Sequence, residues 1–582
     1  MGDTVLQPRG GIPQWDLRFP GRLQMELDAF QSENVDPRPE DGALQDHRLV
    51  LDFEWPHEGG VLPLRAVYPD SYPFLRPQVL LRDPVPFRDR RHVAPDGTLC
   101  LIGRDSRQWT SSLAVPALLR EMLTDALKAS ANEDRQGEPA EVWWNGSPVD
   151  DLPYCLIETT WDLWAKRIDS GRLSVKYTIE NGETETPRLR ASVTAVFAQD
   201  GAVLADWNRR LPAFLANGNA RDLTIPWERL DTTPNPGTED VLRNLIGLEI
   251  ASSSPVFSSS SLSTRRFRLN AFLYPSELEW KRNGDGWLFA LSVGRKKSFQ
   301  GRKPLSGGIV RTLRAGVSDL ASRAPQASDR SAKKVCVIGT GAIGAPLAID
   351  LARNGVKELR LLDSDIVEPG NSMRWPLGAS AWGRSKVEAL DAFIKNEFPN
   401  CDVRFIKHQL GTQSQKYPFR DERALTDAAD GVDLVIDATA AYWNMSFIHD
   451  FTARLGLPVM AMHASPPVSG GVVVLYGPEG GCPACLLRAW DDGLISKPPG
   501  LGDESGLVQP PGCSERTFTG VSYDLQEISL HGMRVASAFL AAGGGNGSTT
   551  VHTLSFNEQA GVKLPSWRSE TLTRHANCTC KA

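Results

Sequence analysis

The sequence predicts an α/β protein in three parts. These are a small N-terminal α+β domain, a middle spacer domain and a C-terminal doubly wound, Rossmann-like domain. Three observations predict this. A strand, a glycine loop, a helix and a second strand succeed one another from Lys334 to Asp365. A further strand, Asp433–Asp437, ends on a carboxylate. The first 135 residues arrange a helix, alternating strands and a second helix. The 582 residues accommodate two to four domains, and the expected boundaries are 1–135, 142–310 and 311–582.

Val335–Ile338 is a short apolar run of the kind a buried parallel strand shows. Gly339, Gly341 and Gly344 follow it directly, and Ala345–Asn354 has helical spacing with Leu347 and Leu351 on one face. Gly355 stops that helix, and Leu359–Leu362 leads into Asp363. The glycines let backbone approach a phosphate, and the helix N-terminus supplies free N–H groups. Asp363 stands where a ribose hydroxyl is held in such sites.

A glycine fingerprint alone favours NAD or FAD. The residues after the second strand favour ATP. Asp363, Asp365, Asn371 and Arg374 follow within a dozen positions, and Arg384 and Lys386 come next. A solvated loop is the plain alternative for these charges. A site that holds a triphosphate under attack at its α-phosphorus uses all of them, because Arg374 and Lys386 can neutralise charge moving to the pyrophosphate. Asp437 is a candidate Mg²⁺ ligand. Gly378–Lys386 is not a P-loop, since Arg384 stands where the lysine belongs.

This constellation resembles the adenylating domain shared by ubiquitin-activating enzymes and the bacterial molybdopterin and thiamine sulfur-carrier activators. The resemblance spans roughly residues 310–582. It implies that Gly339, Gly341, Gly344, Asp363, Asp365, Asn371 and Asp437 bind Mg²⁺-ATP while Arg374 and Lys386 act on the phosphates. Two positions depart from that family. Trp375 replaces its glutamine, and its Asp-x-x-Asp-Asn, whose second Asp holds magnesium, reads Asp437-Ala-Thr-Ala440-Ala441 here.

Bulk properties exclude several classes. The net charge of -6 is small for this length and indicates no nucleic-acid partner. No run is long and apolar enough for a transmembrane helix. The first residues carry no apolar signal core, and Leu6 breaks the myristoylation pattern. Nine scattered cysteines do not form a disulfide framework. The expectation is a reduced, cytoplasmic protein.

In the N-terminal part, Trp15–Phe30 has helical spacing with Pro20 delaying its start, and Leu49–Phe53 and Val61–Val67 alternate as antiparallel strands. Tyr68 to Pro77 is a proline-rich loop. Cys100 follows an Asp96-Gly97 turn, Trp109 comes after it, and Leu113–Leu127 is a helix with Pro116 in its first turn. The plain reading of Cys100 is a small buried hydrophobe. The order of helix, meander, Tyr-Pro-Phe loop, His92, Cys100 and Trp109 is similar to a ubiquitin-conjugating domain over about 15–135, in its bacterial branch. That resemblance makes Cys100 the thioester cysteine and His92 a brace for the turn. The family's His-Pro-Asn reads His92-Val-Ala here.

Asn132–Glu141 is polar and reads as a linker. Beyond it lie Trp143, Trp144, Trp161 and Trp164, strand-like alternation at Leu173–Thr178 and Leu189–Phe197, and a serine-rich break at Ser252–Ser263. The middle part therefore reads as a separate α/β or β-rich scaffold. Arg295–Leu320 reads as a connector whose basic residues (Arg295, Lys296, Lys297, Arg302, Lys303) face solvent.

Near the end, Val472–Leu475 is a strand, and Cys482-x-x-Cys485 and Cys578-x-Cys580 supply four thiols. Four thiolates suit a tetrahedral structural Zn²⁺; a redox pair or an inert pair are the alternatives. Cys513 lies in a turn-rich stretch ahead of a helix from about Tyr523 to Leu540. In activating enzymes a cysteine so placed attacks the acyl-adenylate, so the resemblance makes Cys513 the catalytic thiol.

Together the two ends resemble the conjugating–activating fusion of bacterial CBASS antiphage operons. That resemblance implies adenylation of a protein's C-terminal glycine, capture on Cys513, transfer to Cys100 and attachment to a target lysine. The activated protein would be a cGAS-like nucleotidyltransferase or a ubiquitin-like modifier, and the enzyme a homodimer. A sulfur-carrier activator, a non-enzymatic binding module and an NAD oxidoreductase are the other classes.

Overall fold

The computed structural model describes residues 18–40, 49–58, 60–87, 92–94, 96–102, 109–128, 139–143, 153–181, 187–207, 210–216, 219–234, 245, 266–294, 306–412, 420–509, 516–545 and 547–580. The chain divides into two compact units. One comprises Met1–Trp207 with Ala220–Arg314, the other Asn208–Asn219 with Ala315–Ala582.

The first unit opens with α1 (Pro20–Ser32), whose proline sits in the first turn, where a missing N–H costs nothing. An antiparallel meander follows: β1 (Arg38–Pro39), β2 (Leu49–His57), β3 (Gly60–Tyr68) and β4 (Gln78–Leu81). Strand alternation puts Leu51, Phe53 and Trp55 inside with Leu64 and Ala66. Helix α2 (Val115–Lys128) adds Leu118, Leu119, Leu123 and Leu127 to that core.

A second sheet of this unit contains β5 (Tyr154–Ile157), β6 (Ser170–Asn181), β7 (Pro187–Ala198), β8 (Val203–Asp206), β9 (Arg221–Arg229), β10 (Arg266–Glu279), β11 (Arg282–Gly294) and β12 (Ser306–Arg314). Its order is β5-β12-β11-β10-β9-β6-β7-β8, and β5 also pairs with β7, so the sheet closes on itself. Closure removes most exposed edges. The β-rich expectation for the middle part holds, and the core is built around Trp227 and Trp287, whose rings meet edge to face at 5.9 Å.

Two expectations fail here for a common reason. Ser306–Arg314 is not connector but strand β12, pairing with β11 and with β5. Likewise Glu141 is not linker: Ala140–Trp143 forms a 3-10 turn, and the buried Glu141 carboxylate accepts from Arg314 at 2.6 Å and from the Ser276 hydroxyl at 2.9 Å. Both segments are fixed by partners far away in sequence. The serine-rich break and the basic residues from Arg295 to Lys303 lie outside the described residues.

The second unit is the doubly wound domain. Its strands are β13 (Lys334–Ile338), β14 (Glu358–Leu362), β15 (Asp402–Ile406), β16 (Leu434–Asp437), β17 (Val459–Ala464), β18 (Gly470–Tyr476), a small ribbon of β19 (Leu507–Val508) and β20 (Thr517–Phe518), then β21 (Thr549–Gln559) and β22 (Val562–Leu572). Main-sheet order is β15-β14-β13-β16-β17-β18-β21-β22; the first five run parallel and the rest antiparallel. Helices α3 (Gly344–Arg353), α4 (Lys386–Glu397), α5 (Arg420–Ala429), α6 (Tyr442–Arg454), α7 (Pro483–Asp491) and α8 (Ser522–Ala542) complete it. One layer puts α3, α4 and α8 against Val335, Val337 and Ile436; the other puts α5, α6 and α7 against Cys336, Val435 and Val474. Strand order reverses between β13 and β16, the switch point where doubly wound sheets bind ligands.

Candidate active site

The glycine loop leaves β13 at that switch point. Gly339 adopts φ +84, and a Cβ there would lie 2.8 Å from the Ala438 backbone. At Gly344 a Cβ would lie 2.0 Å from the Gly339 carbonyl oxygen. These two glycines are required by the fold. Gly341 is different: its φ is not positive, and no protein atom lies within 4 Å of a Cβ built on it. The space beside it is open for a ligand's phosphates, which the donor set of a helix N-terminus suits.

Asp363 ends β14 with both carboxylate oxygens in use. Oδ2 accepts from Thr340 N at 2.6 Å and Thr340 Oγ1 at 3.0 Å, and Oδ1 accepts from Asp365 N at 2.9 Å. A carboxylate has about four acceptor positions, so one remains for a ribose hydroxyl. Lys386, at the start of α4, lies 2.8 Å from Asp365 Oδ2, and its backbone N–H donates to the Asp365 carbonyl. Asn371 Oδ1 accepts from Glu368 N at 3.0 Å and shapes the turn between them.

Arg374 is half-buried. It donates to the Phe518 carbonyl and, at 2.8 Å, to the Thr517 hydroxyl, and its guanidinium lies 4.6 Å from the Phe518 ring centroid. Both hydrogen-bond partners are neutral, so the positive charge is left uncancelled by them. Burial pushes its pKa below the usual arginine value.

Asp437 ends β16 beside Ile338 and is 3% exposed. Its Oδ1 accepts from Thr439 N at 2.9 Å and Thr439 Oγ1 at 2.8 Å. Burial, partly offset by these bonds, pushes its pKa up to about 6. Ala440 follows in the left-handed region, at φ 57.

Sequence reasoning missed Thr340, Thr439, Thr517 and the use of Trp375. The Trp375 indole, 4% exposed, donates to the Thr340 carbonyl at 2.8 Å and so braces the glycine loop. Its departure from the family's glutamine was the available signal.

The four thiols gather in this unit. Cys482 caps α7, Cys485 lies within it, and Cys578 and Cys580 reach them from beyond β22; all four sulfurs lie within 4.8 Å of one another. Neighbouring sulfurs are 3.7, 3.7 and 3.4 Å apart. A tetrahedron with metal–sulfur bonds of ~2.3 Å has edges of roughly 3.8 Å. The backbone N–H of His575 donates to Cys485 Sγ at 3.3 Å.

In the first unit, Cys100 is exposed. The turn before it is built as the sequence predicts. Asp96 Oδ1 accepts from Thr98 N, Gly97 adopts φ +88, and the His92 carbonyl accepts from Cys100 N at 2.8 Å. Thus His92 braces the turn through its backbone. Trp109 donates to the Pro73 carbonyl at 3.1 Å, and the neighbouring Tyr72 hydroxyl meets the buried Arg22–Glu26 pair of α1. Cys513 lies outside the described residues. Within them, no helix is long and apolar enough to cross a membrane.

Comparison with known proteins agrees with this division. Residues 319–509 match the ThiF family, and residues 36–144 match prokaryotic E2 family B. Over 551 residues the chain is 36% identical to the y4qC protein of Sinorhizobium fredii, covering 92% of both chains. It is 28% identical over 626 residues to y4oA of the same organism, covering 100% of this chain and 99% of that one. Over 152 residues, 25% of each chain, it is 28% identical to the ATP-dependent ubiquitin transferase-like protein Cap2 of Enterobacter hormaechei. An activating-type and a conjugating-type enzyme segment thus share one polypeptide.

Proposed function

Because the chain belongs to the family of the y4qC protein, with a ThiF segment and a prokaryotic E2 segment in one polypeptide, we propose that it activates a protein's C-terminal carboxylate with ATP and conjugates that protein to a target amine. The observation that carries this reading is the pairing of an open Gly341 loop in the ThiF segment with an exposed, turn-mounted Cys100 in the E2 segment.

A carboxylate oxygen of the substrate attacks the α-phosphorus of ATP, and the bond to pyrophosphate breaks. Gly341 makes room for the phosphates, Asp363 takes the ribose, and Asn371 and Asp365 hold the loop that presents Lys386. Arg374 and Lys386 offset charge on the leaving pyrophosphate. Asp437 would hold Mg²⁺, which supplies further neutralisation when bound. The Cys513 thiolate then attacks the acyl carbon and releases AMP. Cys100 takes the acyl group by thioester exchange, and a lysine amine attacks that thioester, freeing the thiol. Cys482, Cys485, Cys578 and Cys580 would hold a structural Zn²⁺. The activated protein is a cGAS-like nucleotidyltransferase ending in glycine, as the resemblance to the conjugating–activating fusion of CBASS operons implies, and the enzyme acts as a cytoplasmic homodimer.

Thioester trapping tests the relay. The full chain would be mixed with Mg-ATP and a candidate substrate protein, then examined by non-reducing gel and intact mass beside Cys100→Ala and Cys513→Ala. An adduct retained in Cys100→Ala and absent in Cys513→Ala supports the order of transfer. Acyl-AMP formation with no adduct on either cysteine rejects it.

A further inference from the structure

A cavity of about 350 Å³ lies beyond the carboxyl ends of β16 and β17. Asp437, Ala440, Ala441, Ala461 and His463 line it, together with Met445 from α6 and Leu487 and Trp490 from α7. The segment after β16 separates this cavity from the glycine loop. Ala438 packs against Gly339 and Gly344, while Asp437 turns to the cavity side. The cavity is therefore one residue's width from the position the nucleotide phosphates would take.

Its lining is mainly apolar, and among the described residues lining it there is no lysine or arginine. The protein supplies no cation inside to hold a carboxylate, and the Mg²⁺ that Asp437 would hold belongs with the phosphates. The reacting carboxylate must stay outside, at the phosphates. What suits the interior is the uncharged side chain that precedes it. The volume falls in the range of pockets built for ligands, which a glycine pair would leave empty. Ala440 is exposed and Ala441 half-buried at the cavity's lining, and both are small, whereas the resembling adenylating domains carry Asp and Asn at these positions.

We propose that the cavity receives a large apolar side chain from the C-terminal segment of the adenylated protein, directly ahead of its last residue, and so selects the substrate. The proposal rests on the adenylation reading above. It assigns specificity to Met445, Leu487 and Trp490, with Ala441 beside them.

The test uses the full chain, Mg-ATP and labelled pyrophosphate, with short synthetic Gly–Ser peptides ending in Xaa-Gly and a free carboxylate. With Xaa as Leu or Phe, kcat/KM for ATP–pyrophosphate exchange should exceed that with Gly by about 10- to 100-fold, the worth of burying one such side chain. Asp at Xaa should fall below Gly. Ala441→Leu, which narrows the cavity, should collapse the Phe-to-Gly ratio; Leu487→Phe, which fills the interior, is the second variant, and thermal melting checks that both fold. Equal exchange with every peptide, or a ratio unchanged in both folded variants, overturns the proposal while adenylation stands. Exchange with no peptide also overturns it, since an apolar subsite of this worth must raise Leu and Phe above background. Thioester trapping with the whole substrate protein then decides the adenylation reading separately.

Discussion

The Trp375 indole N–H donates to the Thr340 carbonyl at 2.8 Å, joining a buried ring to the middle of the glycine loop. Thr340 in turn donates twice to Asp363, so the ring, the loop and the end of β14 form one connected support. Trp375→Phe keeps the apolar contact and removes the bond, a loss of about 1 kcal/mol. The expected outcome is a rise of about five-fold in the dissociation constant for ATP, read by calorimetry, with melting little changed. An unaltered constant would show that the loop holds its shape without this bond.

Gly341 and Gly344 should respond in opposite ways to alanine. At Gly341 the methyl meets no protein atom, so Gly341→Ala should melt like the parent yet bind ATP at least about ten-fold more weakly, because the methyl occupies the phosphates' space. Gly344→Ala forces a carbon to within 2.0 Å of the Gly339 oxygen and should destabilise the unit. Full ATP affinity in folded Gly341→Ala would place the phosphates elsewhere.

Asp437 gives the metal-free protein a definite pH dependence. Its folded pKa of about 6 exceeds the ordinary 3.8, so its protonated form favours folding. That contribution is complete below about 3.8 and is lost as pH rises through about 6. Asp437→Asn, which cannot ionise, should therefore gain on the parent by up to roughly 3 kcal/mol between about pH 4 and pH 7. Denaturant unfolding along that range would measure it, and a constant difference would mean the carboxylate carries no burial cost.

The thiol cluster predicts one zinc per chain by elemental analysis. Cys578→Ser, or a strong chelator, should release the metal and lower the melting temperature of the C-terminal unit by about 10 °C, the equivalent of about 4 kcal/mol in a domain of this size. Full thiol titration of the native protein without chelator would argue against a bound metal.

Much of this was legible in the sequence where the signal is local. Val335–Ile338 is apolar on both faces because both faces are covered, and the glycines after it leave few alternatives. The Asp96-Gly97 turn and the two helices around it also follow from neighbours in the chain. What sequence could not supply are partnerships over long separations. Arg374 is steered by Thr517 and Phe518, more than 140 positions away. Ser306–Arg314 carries two glycines and little alternation, and becomes a strand only because β11 and β5 flank it. The Arg22–Glu26 pair looks like an ordinary helix-face pair, yet Tyr68, Tyr72 and the Val115 N–H converge on Glu26 and bury it.

Ala440 holds a backbone shape, φ 57, that alanine visits at a cost of about 1–2 kcal/mol and that aspartate and asparagine enter far more readily. The chain is thus already bent to seat the acidic residue that adenylating domains of the resembling family carry there. Ala440→Asp asks for no rearrangement, only a side chain. It should melt no lower than the parent and tighten magnesium binding in the presence of ATP, measurable by calorimetry. The backbone at this position is a mould whose cast has been changed, and a single codon would refill it.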